Sequence, residues 1–506
     1  MKFVATIVLI LFSVLVSFSQ KEDYIWIFGY NSELPEGNET YIIDFNNGSS
    51  PDSIRGLSPL EMFNNNASIC DGDGNLLFYT NGCHIADANH NIMPNGSGIN
   101  DGIFLEEFRQ DTCANYPGIQ DVLILPDPGN DNGYYLLHKT IEFDGDIFLD
   151  NVKYTYVDLS LNSGNGDITE KNVDILPQDE LILLNYLTAI SHSNEVDWWL
   201  VQPTQDDKLY IFLLSESGII LSNVENLNSN FITNSSGSGT AKFSPGGLKY
   251  AMFNPYDNLL LFDFNRENGS LSNLKTLEIL NTPNDVPRFS SLEWSPDGRF
   301  IYVASVDVLY QIDTWETDLE DGLVLIDTWN GIQDPFNTIF YLMALAPDCK
   351  IYMCSTSSTN SYHVINKPNE KGPACDFVQQ GIRLPFVSAT ATMPNFPRFR
   401  VDEDDKCDPT ITSIFGDHVY YRRDMTVYPN PVRDVLTVEV PEGKEGKIVV
   451  FDMQGQLVWN DSDLDSYMNK VQIDLSGLTV GTYSIEFLPE GNKERLVYTS
   501  QVVRVE

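Results

Sequence analysis

The chain has 506 residues, 72 of them acidic against 30 basic, for a net charge of −42. A surface so negative repels the phosphates of nucleic acids and anionic lipid heads, so neither is expected as a partner. Twelve per cent aromatic residues and 34 glycines suit many short strands joined by turns, and the length allows more than one domain.

Lys2 precedes an apolar run from Phe3 to Val16, and Ser17-Phe18-Ser19 has the small-x-small pattern of a cleavage site. Residues 1–19 therefore read as a signal peptide cut between Ser19 and Gln20. No other stretch approaches the roughly 18 apolar residues needed to cross a bilayer, so the mature chain is expected to be exported without a transmembrane segment.

Strand-like runs follow at 24–29 and 40–45, and then a hairpin at 67–80 turns on Asp71-Gly72-Asp73-Gly74. Residues 84–116 are polar and read as a long loop. Further strand pairs fall at 119–138, 152–159, 188–201 and 209–214. The clearest phrase is Trp294-Ser295-Pro296-Asp297-Gly298-Arg299-Phe300-Ile301-Tyr302-Val303. Proline presets one turn dihedral and Asp-Gly tolerates positive φ, so this is strand, tight turn, strand. The phrase recurs around Pro245 and Pro347, at a spacing of 51 residues on either side of Pro296. Hairpins recurring at about 40–50 residues mark the blades of a β-propeller. Seven units can be counted, near 25–55, 66–93, 119–168, 187–222, 240–275, 291–326 and 343–378. A last strand, Ala389 to Val401, is expected to close the ring against the first unit, since a closed ring avoids exposed edges.

Seven cysteines, at 70, 83, 113, 349, 354, 375 and 407, fit an oxidising compartment and leave at least one thiol unpaired. Cys375 and Cys407 flank the last strands of the ring and are expected to staple it by a disulfide.

Few residues stand out as chemistry. His192 sits just before a hairpin turn, where the other units carry Phe243, Trp294 and Leu345; it could face the central channel as a base or ligand, although a lone histidine there is more often a packed, hydrogen-bonded residue. Asp71, Asp73 and Asn75 have the alternation that opens a calcium loop. Leu76 and Gly82 stand where such a loop needs glycine and glutamate, and a hairpin turn explains the same residues. Calcium is the one cofactor with any sequence support. Trp198 and Trp199 are adjacent, so they face opposite sides of the sheet; the outward one could stack on a sugar ring, but packing between blades is the expected role. No Gly-x-Ser-x-Gly elbow, phosphate-binding glycine loop or paired-histidine motif is present.

The repeat ends near residue 401, and 402–424, opening with Asp402-Glu403-Asp404-Asp405, reads as a linker. From 425 the pattern alternates with period two, as in Leu436-Thr437-Val438-Glu439-Val440 and Tyr483-Ser484-Ile485-Glu486-Phe487, which predicts a small Ig-like β-sandwich. This region carries Tyr428-Pro429-Asn430-Pro431, Asp434, Leu436, Asp452, Gly455, Leu475, Gly481 and Tyr483. In that order they resemble the type A C-terminal sorting domain of the type IX secretion system. The chain ends on the acidic Val505-Glu506, where that family usually finishes on a basic strand. The resemblance implies export through the type IX machinery, to the medium or to the outer surface of a bacterium. Upstream, Asn75-Leu76-Leu77-Phe78-Tyr79-Thr80, the Ser-Pro-Asp-Gly hairpins and Met393-Pro394-Asn395-Phe396-Pro397 resemble YVTN-type or tryptophan–aspartate-like propellers.

The overall expectation is an all-β protein, a seven-bladed β-propeller at 20–401 followed by a sorting domain at 425–506. It is read as a binding protein for a surface glycan or another protein. The alternative is a secreted hydrolase or lactonase-like enzyme with a site in the central channel.

Overall fold

The computed structural model describes residues 20–29, 40–46, 58–102, 116–143, 147–176, 182–227, 239–255, 258–279, 289–388, 391–401, 421–440, 446–452, 457–464, 470–489 and 496–505. The signal peptide falls outside these residues, as do Cys113, Cys407 and Gly455. The chain divides into two compact units, the first comprising Met1–Gln380 and Leu384–Ile414, the second Gly381–Arg383 and Phe415–Glu506.

Among the described residues, the first unit is a ring of seven antiparallel sheets. Six have four strands in chain order, beginning at Ala67–Cys70, Val122–Asp127, Thr188–Ser191, Thr240–Phe243, Ser290–Trp294 and Met343–Leu345. The first sheet has two described strands, Ile25–Phe28 and Tyr41–Asp44. In each four-stranded sheet the opening strand is innermost. Thr188–Ser191 and Thr240–Phe243 are wholly buried, whereas the fourth strands, such as Gly218–Asn226 and Leu271–Leu277, are largely exposed. The polar stretch after Cys83 departs from the expected long loop: His84–Asp87 and Ile92–Ser97 complete the second sheet.

The repeated hairpin folds as its chemistry dictates. Ser295 Oγ accepts the Phe300 N–H at 2.8 Å and donates to Asp297 Oδ1 at 2.6 Å, while the Gly298 N–H donates to Ser295 O at 2.9 Å. Gly298 takes φ +71° and Gly247 takes +68° in the equivalent turn. In the third copy Cys349 occupies that left-handed position, at φ +65°, where an L side chain is uncommon.

The ring closes differently from the expectation. The first sheet packs on the last through aromatic side chains, with Trp26 and Tyr352 centroids 6.1 Å apart and Phe28 and Tyr362 5.8 Å apart. Residues 391–401 form no closing strand; their single bridge pairs Arg398 with Ile190. Pro394 and Pro397 lack the N–H donors that a ladder needs. Instead this segment bonds in turn to the inner edges of the sheets. Thr392 Oγ1 donates to Asn64 O at 2.7 Å, and the Asn395 N–H to Asn66 O at 2.8 Å. Asn395 Nδ2 donates to Val122 O at 2.9 Å and Leu187 O at 3.1 Å. The Arg398 N–H donates to Ala189 O at 3.0 Å, and Arg398 Nε to Phe243 O at 2.8 Å. A segment that reaches so many innermost strands lies along the axis they surround.

The second unit is a sandwich of a five-stranded sheet and a three-stranded sheet. Leu436, Val438, Ile448, Val450, Ile473, Ile485, Phe487 and Val502 form its core. It begins earlier than the expected linker boundary, because Tyr421–Asp424 pairs in parallel with the last strand, Leu496–Arg504. Those four residues gain a ladder and so belong to the sandwich.

Candidate functional site

The axial segment brings charge into the centre of the ring. Lys242 and Glu293 occupy the same register position in two successive inner strands, 51 residues apart. Glu293 is 1% exposed. Arg398 Nη2 donates to Glu293 Oε1, and Lys242 Nζ lies 3.8 Å from Oε2. The backbone N–H groups of Trp294, at 2.9 Å, and Leu345, at 3.2 Å, donate to the same carboxylate. Burial pushes the Glu293 pKa up. The charges of Arg398 and Lys242 and the Trp294 N–H outweigh it, so the carboxyl titrates below its usual range. Burial lowers the Lys242 pKa against the pull of Glu293, with Arg398 acting in the same downward direction. A second ion pair joins Arg400 to Asp23, and Arg400 Nη1 also donates to Gln20 O at 3.0 Å.

Lys242, Glu293, Arg398, Arg400, Asp23, Phe396 and Phe399 line a solvent-open pocket on the side of the tight turns. A smaller one, lined by Gln120, Thr240, Lys242 and Asn395 among others, lies towards the opposite face. The axis is therefore occupied by the protein's own chain, and four of its five charged groups form two mutual pairs. Lys242 is the group with the looser partner. This cluster was not singled out from the sequence. The available signal was a charged residue in the middle of two otherwise buried strands.

The residues that the sequence did single out fall elsewhere. His192 stays out of the channel: its Nε2 is 3.0 Å from Glu267 O, its Nδ1 accepts the Asn194 N–H at 3.0 Å, and its ring lies 5.5 Å from Trp199. It caps the turn between the first and second strands of the fourth sheet, Thr188–Ser191 and Trp198–Pro203. Asp71, Asp73 and Asn75 form a turn in which Asp71 Oδ1 accepts the N–H groups of Asp73 at 3.0 Å and Asn75 at 2.9 Å. Among the described residues no group of three or more His, Cys, Asp or Glu side chains is arranged to hold a metal ion. Neither Trp198 nor Trp199 points outward. They are 7% and 3% exposed, with Trp198 against Phe399 and the Trp199 indole Nε1–H donating to Arg266 O. The two rings do take opposite faces of the strand, in two separate cores, and both are buried because the sheet has a neighbouring sheet on each face, which is the expected packing between blades.

The expected Cys375–Cys407 bridge does not form. Cys375 is a buried free thiol, as are Cys70 and Cys354, while Cys83 and Cys349 are disulfide-bonded. Cys375 instead ends a short 3₁₀ turn, Gly372–Cys375, in hydrogen-bonding contact with Tyr302.

In the second unit Tyr428 Oη donates to Glu439 Oε1 at 3.1 Å and accepts from Lys470 Nζ at 2.9 Å. Asn430 Oδ1 accepts the Val503 N–H at 3.0 Å, Asp434 O accepts the Leu475 N–H at 2.6 Å, and Tyr483 Oη donates to Thr479 O at 2.7 Å. The prolines at 429 and 431 each follow a cis peptide bond, and the backbone of Asp452 pairs with Tyr483, two residues beyond Gly481. The motif thus ties both ends of the sandwich together. Residues 426–499 match the secretion system C-terminal sorting domain. The C-terminal unit is that sorting domain. It places the chain among proteins sorted by the type IX secretion system, either secreted or attached to the cell surface. Among the described residues no helix is long and apolar enough to cross a membrane.

No curated protein matches the chain in sequence. Among solved structures, the periplasmic gluconolactonase PpgL of Pseudomonas aeruginosa is similar at 13% identity and a TM-score of 0.37, covering 72% of this chain and 97% of its own. PorZ, a surface component of the type IX secretion system of Porphyromonas gingivalis, matches at 11% identity and 0.35, over 94% of this chain and 60% of its own. Sqt1 of Chaetomium thermophilum matches at 12% and 0.34, over 74% and 82%. At these values none of the three assigns an activity.

Proposed function

We propose that this type IX cargo is a binding protein that recognises a glycan or a protein outside the cell. The observation carrying the proposal is the filled axis. Where an enzyme built on a ring of sheets would place reacting groups, residues 391–401 run through the centre and pair their own arginines with Glu293 and Asp23. What is left for recognition is the rigid rim of turns and loops, which a propeller holds in fixed geometry.

The test applies the full mature chain to a broad glycan array and, immobilised, to outer-surface proteins from the producing cell. Saturable, competable binding in either format supports the reading. Silence in both, together with turnover of a lactone or ester panel that is lost on mutating Lys242 or Arg398, would replace it with the hydrolase reading.

A further inference from the structure

Trp315 is 68% exposed, in the turn between the third and fourth strands of the sixth sheet, Val308–Asp313 and Leu323–Thr328. It is nevertheless fixed. The Arg299 guanidinium lies 4.7 Å from its ring centroid and equally 4.7 Å from that of Phe300. Arg299 is itself locked, donating from Nε to Asp313 Oδ1 at 3.0 Å and from Nη2 to Oδ2 at 2.7 Å. Asp313 also accepts the Trp315 N–H at 3.2 Å and Lys371 Nζ at 3.1 Å, and Lys371 reaches Glu316 Oε1 at 3.2 Å. Lys371 and Glu316 are 44% and 41% exposed, so the rim of the ring presents both donors and acceptors to solvent.

An exposed indole costs solvation, and holding it in one orientation lowers the entropy that a ligand must remove on binding. Its surroundings define the ligand. Leu319, the other large apolar side chain in the turn, is buried, while Asp318, Glu320 and Asp321 are exposed. A protein hot spot needs neighbouring contacts that exclude water, whereas this is one flat apolar ring amid solvated hydrogen-bonding groups. That pattern complements a pyranose, whose C–H face is apolar and whose hydroxyls radiate from its edge. The nearby carboxylates and the net charge of −42 disfavour uronates and sulfated sugars.

We propose that Trp315, backed by Arg299 and flanked by Glu316 and Lys371, is a stacking site for a neutral pyranose unit of a glycan. The site rests on the binding-protein reading above and names the ligand class for it.

The experiment titrates the full mature chain and its variants with cellohexaose, mannohexaose, chitohexaose and an oligogalacturonate. Binding is followed by tryptophan fluorescence and by calorimetry. At least one neutral hexasaccharide is expected to bind. W315A should weaken that binding by about tenfold or more, the scale of one lost aromatic contact, and W315F should restore part of it. R299K and E316Q should each weaken it several-fold. Unchanged thermal midpoints for W315A and W315F would show that the fold is intact, as the exposure of the side chain leads one to expect. Equal binding by wild type and W315A would overturn this site while leaving the binding-protein reading in place. Preference for the oligogalacturonate, or binding of a defined protein partner with no sugar bound at all, would overturn the neutral-sugar assignment. Silence towards sugars and proteins alike would overturn both readings.

Discussion

Arg398 donates to Glu293 across 105 residues of sequence, and that one contact joins the axial segment to the sixth sheet. Removing the cation leaves Glu293, 1% exposed, with only the Lys242 ammonium at 3.8 Å and the Trp294 and Leu345 N–H groups as partners. R398M is therefore expected to destabilise the propeller by about 1–3 kcal/mol, less than a wholly uncompensated buried charge would cost. Glu293 has a depressed pKa in the folded state, so its stabilising contribution is complete above the ordinary carboxylate range. It fades as pH falls through the depressed value. Urea unfolding of R398M, E293M and the double variant would measure this, and the double variant should recover part of the loss.

Two buried histidines predict acid sensitivity. His138 is bonded to Asn100 Oδ1 at 2.6 Å and Thr155 Oγ1 at 2.9 Å, and burial holds its pKa down to about 3. His363, 2.9 Å from Thr338 O, is held by burial at about 4. The unfolded chain takes up these protons below its ordinary value of 6.5, and the folded chain does not until far lower. Each histidine should thus cost up to about 1.4 kcal/mol per pH unit between those limits. Unfolding free energies at pH 7, 6 and 5 should fall less steeply in H138Q and H363Q than in wild type.

The cysteines give a direct chemical test. In denaturant without reductant, Cys70, Cys354 and Cys375 should be alkylated, while Cys83 and Cys349 should appear in crosslinked peptides on mass spectrometry. C375A should leave the crosslinked peptides unchanged, and C349A should remove one. In the native state burial raises the Cys70 and Cys354 pKa values, so both should react slowly.

The sequence pattern conveyed what depends on neighbours in the chain. The hairpins around Pro245, Pro296 and Pro347 were legible because serine, proline and glycine make a turn from within it. The sorting motif was legible because Tyr428, Asn430, Asp434 and Tyr483 keep fixed spacings. Residues 391–401 were misread as a strand because an irregular segment has no period, and only its distant partners show where it lies. The disulfide was misplaced for the same reason, since pairing is set by proximity in space. Trp315 carried no signal in the sequence, because a single aromatic residue in a turn belongs to no motif or period. Its exposure follows from a turn that lifts the ring over Arg299.

The parallel pairing of Tyr421–Asp424 with Leu496–Arg504 makes a prediction about export. A reporter carrying residues 415–506 should be secreted by a host with type IX machinery more efficiently than one carrying 425–506. The shorter tag exposes one edge of its five-stranded sheet. Secreted reporter activity and protease resistance of the two tags would measure the difference, and equal values would show the first strand to be dispensable.

The segment that occupies the axis works like a keystone. It is the last piece of the ring to be synthesised, so the arch stays unlocked until nearly the whole cargo has emerged and its early sheets have waited for Arg398 and Arg400. It also sits just upstream of the address tag. Any cut that separated the tag from an intact ring would therefore have to fall beyond Arg400. A cut only a dozen residues earlier would release a ring with nothing bracing its centre.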